Sequence, residues 1–216
     1  MKSYLIFRSD KIGDFLTTAI LIKSIKRNEP QSKITLVSSE NNYDYIKTFD
    51  YVDDVFVLKN SFFSKIKLIL KLRKILFNSI IVADCKKRSI FVSFFLKSQN
   101  KILPSLLKES VFVNYLFDKI FYTNTNDTYI QNIKNVINHL NFTFHETDLN
   151  ILSEKQAINN KKLFDNYSIL HFDEKWIYKT YIKNYTNIEP NLNDFVTFID
   201  KLQKKTNEYL VITTGK

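Results

Sequence analysis

From Tyr4 to Leu103, short apolar runs rich in β-branched and aromatic residues alternate with longer stretches of helical period. That alternation limits the fold more than any other feature, because strands separated by helices are the signature of a parallel sheet covered on both faces. The runs at 4–7, 34–37, 55–58, 79–84 and 101–103 read as strands, the last ended by Pro104. Helical period occupies 15–28, a short piece around Tyr43 and Ile46, 61–77, and 89–97. In such a sheet, ligands lie beyond the carboxyl ends of the strands. The first of those ends is therefore the place to look for a site.

Tyr4-Leu5-Ile6-Phe7 breaks there into the polar loop Arg8-Ser9-Asp10-Lys11-Ile12, followed by Gly13, one of only two glycines in the chain. A glycine so rare is expected to have a backbone task, either φ > 0 or close approach of a ligand to the main chain. Asp14 follows at a helix start, where the macrodipole favours an ionised carboxylate. It can act as a general base, or it can simply cap the helix. Asp10 in the same loop competes for the first role. The fourth strand also ends in a carboxylate, in Asp84-Cys85-Lys86-Lys87-Arg88, so three consecutive cations share the rim with Asp14.

The chain carries a net charge of +10, nearly all from lysine, with Arg8, Arg27, Arg73 and Arg88 as its arginines. Lysine without arginine is a poor tool for forking onto phosphates and guanines, and no nucleic-acid motif accompanies the charge. An anionic lipid or phosphorylated glycan suits it better. Hydrophobic residues at 44% exclude a disordered chain. No apolar run reaches the length of a membrane span, which makes the cytoplasm the expected compartment. From Lys59 to Lys74 six cations occur without an acid, with Lys67, Lys71 and Lys74 on one helical face and Phe62, Ile66 and Ile69 on another. That helix is expected to lay its apolar face on the sheet, although a basic amphipathic helix also suits an anionic membrane surface. Cys85 is the single cysteine and reads as an ordinary buried or half-buried thiol; no metal-ligand spacing occurs, and no metal or cofactor is expected. With glycines only at 13 and 215, neither a Walker loop nor G-x-G-x-x-G can be present.

Beyond Lys108 the texture changes. A polar stretch at 123–127 precedes helix-like runs at 130–140 and 153–164, then a strand at 167–171, a helix at 193–205 and a strand at 209–213. The division expected is an N-terminal domain at 1–150, a helical crossover at 151–166 and the start of a second domain at 167–216. Two strands and one helix bury little, so this second domain reads as cut short.

Arg8-x-Asp10-x-Ile12-Gly13-Asp14-x-x-x-Thr18 resembles the opening motif of the heptosyltransferase-like glycosyltransferases, family 9. Phe49-Asp50-Tyr51-Val52-Asp53-Asp54-Val55 is similar to the segment before that family's third strand. Ile169-Leu170-His171, with Lys175-Trp176, is similar to the opening of its second domain. The resemblance implies a GT-B-like α/β architecture, with a Rossmann-like parallel-sheet acceptor domain and an incomplete Rossmann-like nucleotide-sugar domain. It further implies metal-independent, inverting transfer of a heptose or related sugar from a nucleotide-sugar donor to an anionic, lipopolysaccharide-type acceptor at the inner membrane face. Asp14 is then the base, while Gly13, His171 and Lys175 serve the donor. Arg8, Asp10, Thr18, Lys86, Lys87 and Arg88 are expected on the acceptor side. Two departures stand out: Ala19 replaces the usual proline, and Phe172, Asp173 and Glu174 replace small hydroxyl residues ahead of Lys175, setting carboxylates where a diphosphate would bind. A non-catalytic relative that only holds an anionic glycan, and a general polyanion binder, are the competing readings.

Overall fold

The computed structural model describes residues 1–105, 111–122, 129–151, 166–172 and 192–214. The chain divides into two compact units, Met1–Lys155 and Gln156–Lys216. In the first, β1 (Ser3–Phe7), β2 (Lys33–Ser38), β3 (Asp54–Val57), β4 (Leu76–Val82), β5 (Lys97–Ser105) and β6 (Lys119–Tyr122) form one sheet. Its order is β3-β2-β1-β4-β5-β6, and every pairing is parallel. The α/β, GT-B-like class expected from the sequence is the one observed. Reversal of strand order between β1 and β4 opens a crevice at their carboxyl ends.

Between the strands run α1 (Ile12–Asn28), α2 (Tyr43–Lys47), α3 (Phe62–Leu72), α4 (Lys87–Phe94), α5 (Val111–Leu116) and α6 (Tyr129–His139), with a 3₁₀ turn at Glu146–Leu149. Alternate residues of β1 feed two cores, as a central strand requires. Tyr4 and Ile6 join Phe15, Ile22 and Ile25 of α1 and Val136 and Ile137 of α6. Leu5 and Phe7 join Leu68 and Leu72 of α3, with Ile90 and Val92 of α4. Thus α1, α2 and α6 cover one face, and α3, α4 and α5 cover the other.

Three expectations change. Helix α1 begins at Ile12 rather than Phe15, so Gly13 and Asp14 lie inside its first turn. The expected face of α3 holds only in part: Ile69 packs on the sheet beside buried Leu68 and Leu72, whereas Phe62 and Ile66 are exposed. The apolar residues of this helix are so nearly continuous that its period does not single out one stripe. Finally, β5 runs through Pro104. Its pairing with β4 stops at Ile102, leaving only β6 beside Pro104, so one side of the proline has no ladder to interrupt.

In the second unit, β7 (Tyr167–Phe172) pairs in parallel with β8 (Tyr209–Thr214), and α7 (Leu192–Thr206) precedes β8. The helix expected at 153–164 and the polar stretch at 123–127 lie outside the described residues.

Candidate functional site

Arg8 leaves β1 and turns under the first turn of α1. Its Nε donates to Thr18 Oγ1 at 2.7 Å, Nη1 to Asp10 Oδ2 and to the Ala83 carbonyl, both at 3.0 Å, and Nη2 to Thr17 Oγ1 at 3.3 Å. A buried guanidinium satisfied on three elements holds the carboxyl ends of β1 and β4 against the start of α1. Thr18, also buried, is one of its partners. The sequence placed both residues on the acceptor side; the structure brings them together beneath the crevice.

Asp84 makes the second tie. Its Oδ2 accepts from Ser9 N–H at 3.1 Å, Ser9 Oγ at 2.5 Å and Ser89 Oγ at 2.8 Å, while Oδ1 accepts from Lys86 N–H at 3.2 Å. Ser9 in turn receives the cations. Its carbonyl accepts from Lys86 Nζ at 3.2 Å and Arg88 Nη2 at 2.9 Å, and Arg88 Nη1 reaches Asn60 Oδ1 at 2.6 Å. Of the three consecutive cations, two are therefore turned inward onto the loop after β1, and only Lys87 is exposed. On the other side, buried Asn42 donates from Nδ2 to the Arg8 carbonyl at 3.2 Å and accepts from Ser39 N–H at 2.8 Å. Ser9, Asp84 and Asn42 carry much of this framework, and the sequence reading gave them no role. A strand-end carboxylate followed by Ser89 five residues on was the available signal for Asp84.

Asp14 is half-buried, and its Oδ2 accepts from the Lys11 N–H at 3.2 Å, one arm of a capping box. Oδ1 makes no hydrogen bond among the described residues. Gly13 does not use φ > 0, and a Cβ added there would meet nothing within 4 Å. Its side of the helix start is open space. Asp10 differs: Oδ1 is buried without a hydrogen-bond partner among the described residues. Burial raises its pKa above the usual carboxylate range and outweighs the opposing pull of Arg8, with the charges of Asp14 and Asp84 raising it further.

Two hollows meet at these carboxylates. One, of about 150 Å³, runs between Asp10, Asp14, Asp84 and the α6 residues Tyr129 and Asn132. The other, of about 420 Å³, opens between Lys11, Glu40, Lys59, Asn60, Lys86 and Arg88. Asp10 and Asp14 line both. The larger is of small-ligand size. Among the described residues no group of three or more histidine, cysteine, aspartate or glutamate side chains is arranged to hold a metal ion. In the second unit, His171 occupies the penultimate position of β7, whereas Lys175 and Trp176 lie outside the described residues.

Comparison with solved structures places the fold. The E. coli heptosyltransferase WaaC bound to ADP-2-deoxy-2-fluoro heptose superposes with a TM-score of 0.74 at 11% identity, over 99% of this chain and 69% of that one. The chain has a heptosyltransferase-like fold. WaaC with ADP gives 0.72 at 11% identity, over 99% of this chain and 68% of that one. A family 9 glycosyltransferase from Veillonella parvula gives 0.63 at 12% identity, over 99% and 69% respectively. No protein-family profile and no curated protein sequence matches the chain. The heptosyltransferase-like likeness therefore lies in the path of the backbone rather than in residue identity.

Proposed function

We propose that this chain belongs to an inverting glycosyltransferase that moves a heptose or related sugar from a nucleotide-sugar donor to an anionic, lipid-linked glycan in the cytoplasm. The observation that carries the reading is Asp14: a half-buried carboxylate on the first turn of α1, shared by both hollows, with one oxygen fixed by Lys11 N–H and the other unengaged among the described residues. In the reaction, Asp14 takes the proton of the acceptor hydroxyl as its oxygen attacks the anomeric carbon. The bond from that carbon to the diphosphate breaks, and the nucleotide leaves with the electron pair. Asp10 is less suited, because Arg8 holds one of its oxygens and burial encloses the other. Support for a nucleotide-sugar donor comes from the neighbours solved with ADP and a fluorinated ADP-heptose. Lys11, Lys86 and Arg88 of the larger hollow give an anionic acceptor its counter-charge, with exposed Lys87 beside them, while Lys59 is paired with Glu40. His171 and Lys175 are proposed for the donor.

The test is turnover of ADP-heptose by the full-length protein and its Asp14→Asn variant. Loss of a general base lowers the rate by about 10²- to 10⁴-fold. Asparagine preserves the cap, so the melting temperature should hold. Near-normal turnover in the variant would remove Asp14 from the chemistry. No turnover by the wild type with any nucleotide sugar, together with retained glycan binding, would favour a non-catalytic relative.

A further inference from the structure

Helix α3 has more apolar residues than the sheet covers. Leu68 and Leu72 are buried, but Phe62, Phe63, Ile66 and Leu70 face outward, Phe63 at 82% exposure. The same excess recurs on the neighbouring helices. Ile90 and Val92 of α4 are buried, while Phe91, Phe94 and Phe95 at its end are exposed. On α5, Val113 and Leu116 pack inward and Phe112 and Tyr115 outward. The outer rings associate with one another: Phe94 lies 4.9 Å from Phe95 and 6.3 Å from Phe112, which joins α4 to α5, and α3 packs beside α4. Water-facing aromatic surface on this scale marks a surface that is covered in use.

Its charge says by what. Exposed Lys67, Arg73 and Lys74 belong to α3 and its carboxyl end and exposed Lys97 follows α4, and the only carboxylate between residues 59 and 101 is Asp84, whose oxygens are taken by Ser9, Ser89 and Lys86. Cores of protein interfaces are depleted in lysine, and a second copy of this face would bring like charges together. Aromatic rings set among lysines are instead the composition of a surface that enters the headgroup region of an anionic bilayer.

We infer that the α3–α4–α5 face seats the protein on an anionic lipid surface, with its rings at the boundary of headgroups and acyl chains and its lysines on lipid phosphates. The cleft gains from this. Lys59 and Asn60 at its lip lead directly into α3, and Lys86 at the same lip caps α4, so both ring-bearing helices start at the mouth of the larger hollow. The seat requires no sugar transfer and stands apart from the proposed reaction.

Co-sedimentation of the purified full chain with vesicles of phosphatidylethanolamine and phosphatidylglycerol, and with phosphatidylcholine alone, tests it. The protein should pellet with the anionic vesicles, stay largely in solution with the neutral ones, and be released progressively by salt. Phe63→Ser with Phe94→Ser should weaken partition at least about tenfold. Lys67→Glu with Lys74→Glu should weaken it about fivefold for each lysine charge lost. All four side chains are exposed, so melting temperatures should stay near wild type. No pelleting of the wild type at low salt would overturn the inference. So would undiminished binding by the double phenylalanine variant, which would reduce the face to a polybasic patch. A wild-type dimer in light scattering that the phenylalanine changes dissociate would assign the face to a second copy instead.

Discussion

The two ends of α1 each carry an arginine–aspartate pair, and the pairs are built differently. At the carboxyl end, Arg27 grips Asp148 with two bonds, Nε to Oδ1 at 2.9 Å and Nη2 to Oδ2 at 3.0 Å, and His145 N–H adds a third at 2.9 Å. Burial alone would raise the pKa of Asp148, yet these bonds outweigh it and hold the carboxyl below its usual range. At the amino end, Arg8 reaches Asp10 through one nitrogen only, spends its other donors on Thr17, Thr18 and Ala83, and leaves Asp10 Oδ1 buried without a partner among the described residues. The same two residue types thus close one end of the helix and leave the other electrostatically unsettled. A fully satisfied pair locks a turn in place, whereas an incompletely satisfied one beside two hollows suits a ligand site.

Breaking the closed end should have the larger effect. Arg27→Met leaves Asp148 buried and unpaired, and should cost about 3 kcal/mol in urea denaturation. A loss below about 1 kcal/mol would mean that the carboxyl-end pair is no tighter than an exposed one. Asp10→Asn at neutral pH should change stability by less than about 1 kcal/mol, because the amide oxygen still accepts from Arg8 and an unfavourably buried charge is removed. A cost equal to that at Arg27 would erase the contrast between the ends. Acid titration then separates them by sign. Asp148, with its pKa lowered on folding, contributes stability above the ordinary carboxylate range and loses it as pH falls through its folded pKa. Asp10, with its pKa raised, contributes stability below its unfolded value and loses it as pH rises through its folded pKa. Melting temperatures followed from about pH 7 to about pH 3 should therefore fall less steeply in Asp148→Asn than in the wild type, and more steeply in Asp10→Asn. Identical slopes in all three would remove both carboxylates from the acid response.

The sequence made the alternation of strand and helix legible because a parallel sheet buries its strands on both faces, so each becomes an unbroken apolar run. It also made the loop from Arg8 to Asp14 stand out, through a rare glycine and clustered charges. Strand β6 at Lys119–Tyr122 went unread: at the sheet edge only half of Lys-Ile-Phe-Tyr is apolar and inward, too little to stand above its polar neighbours. The orientation of α3 was equally hidden, since a helix rich in apolar residues on several sides does not announce which one meets the sheet. The cations Lys86, Lys87 and Arg88 read as three rim cations on the acceptor side. Yet Lys86 and Arg88 bend back to the Ser9 carbonyl, a contact across 77 and 79 residues that no local pattern encodes.

That separation along the chain sets an order of assembly. β1 can pair with β2 as soon as the first βαβ unit exists, but Arg8 and Ser9 find Ala83 and Asp84 only across a span of 75 residues. Closing so long a loop has an entropic cost that no contact repays until β4 docks, which makes such pairings late events in folding. A nascent chain that has emerged only through β3 therefore holds Asp14 on a formed helix with no crevice around it. The site begins to take shape only when the fourth strand arrives, and Lys86 and Arg88 after it and then α6 complete its walls.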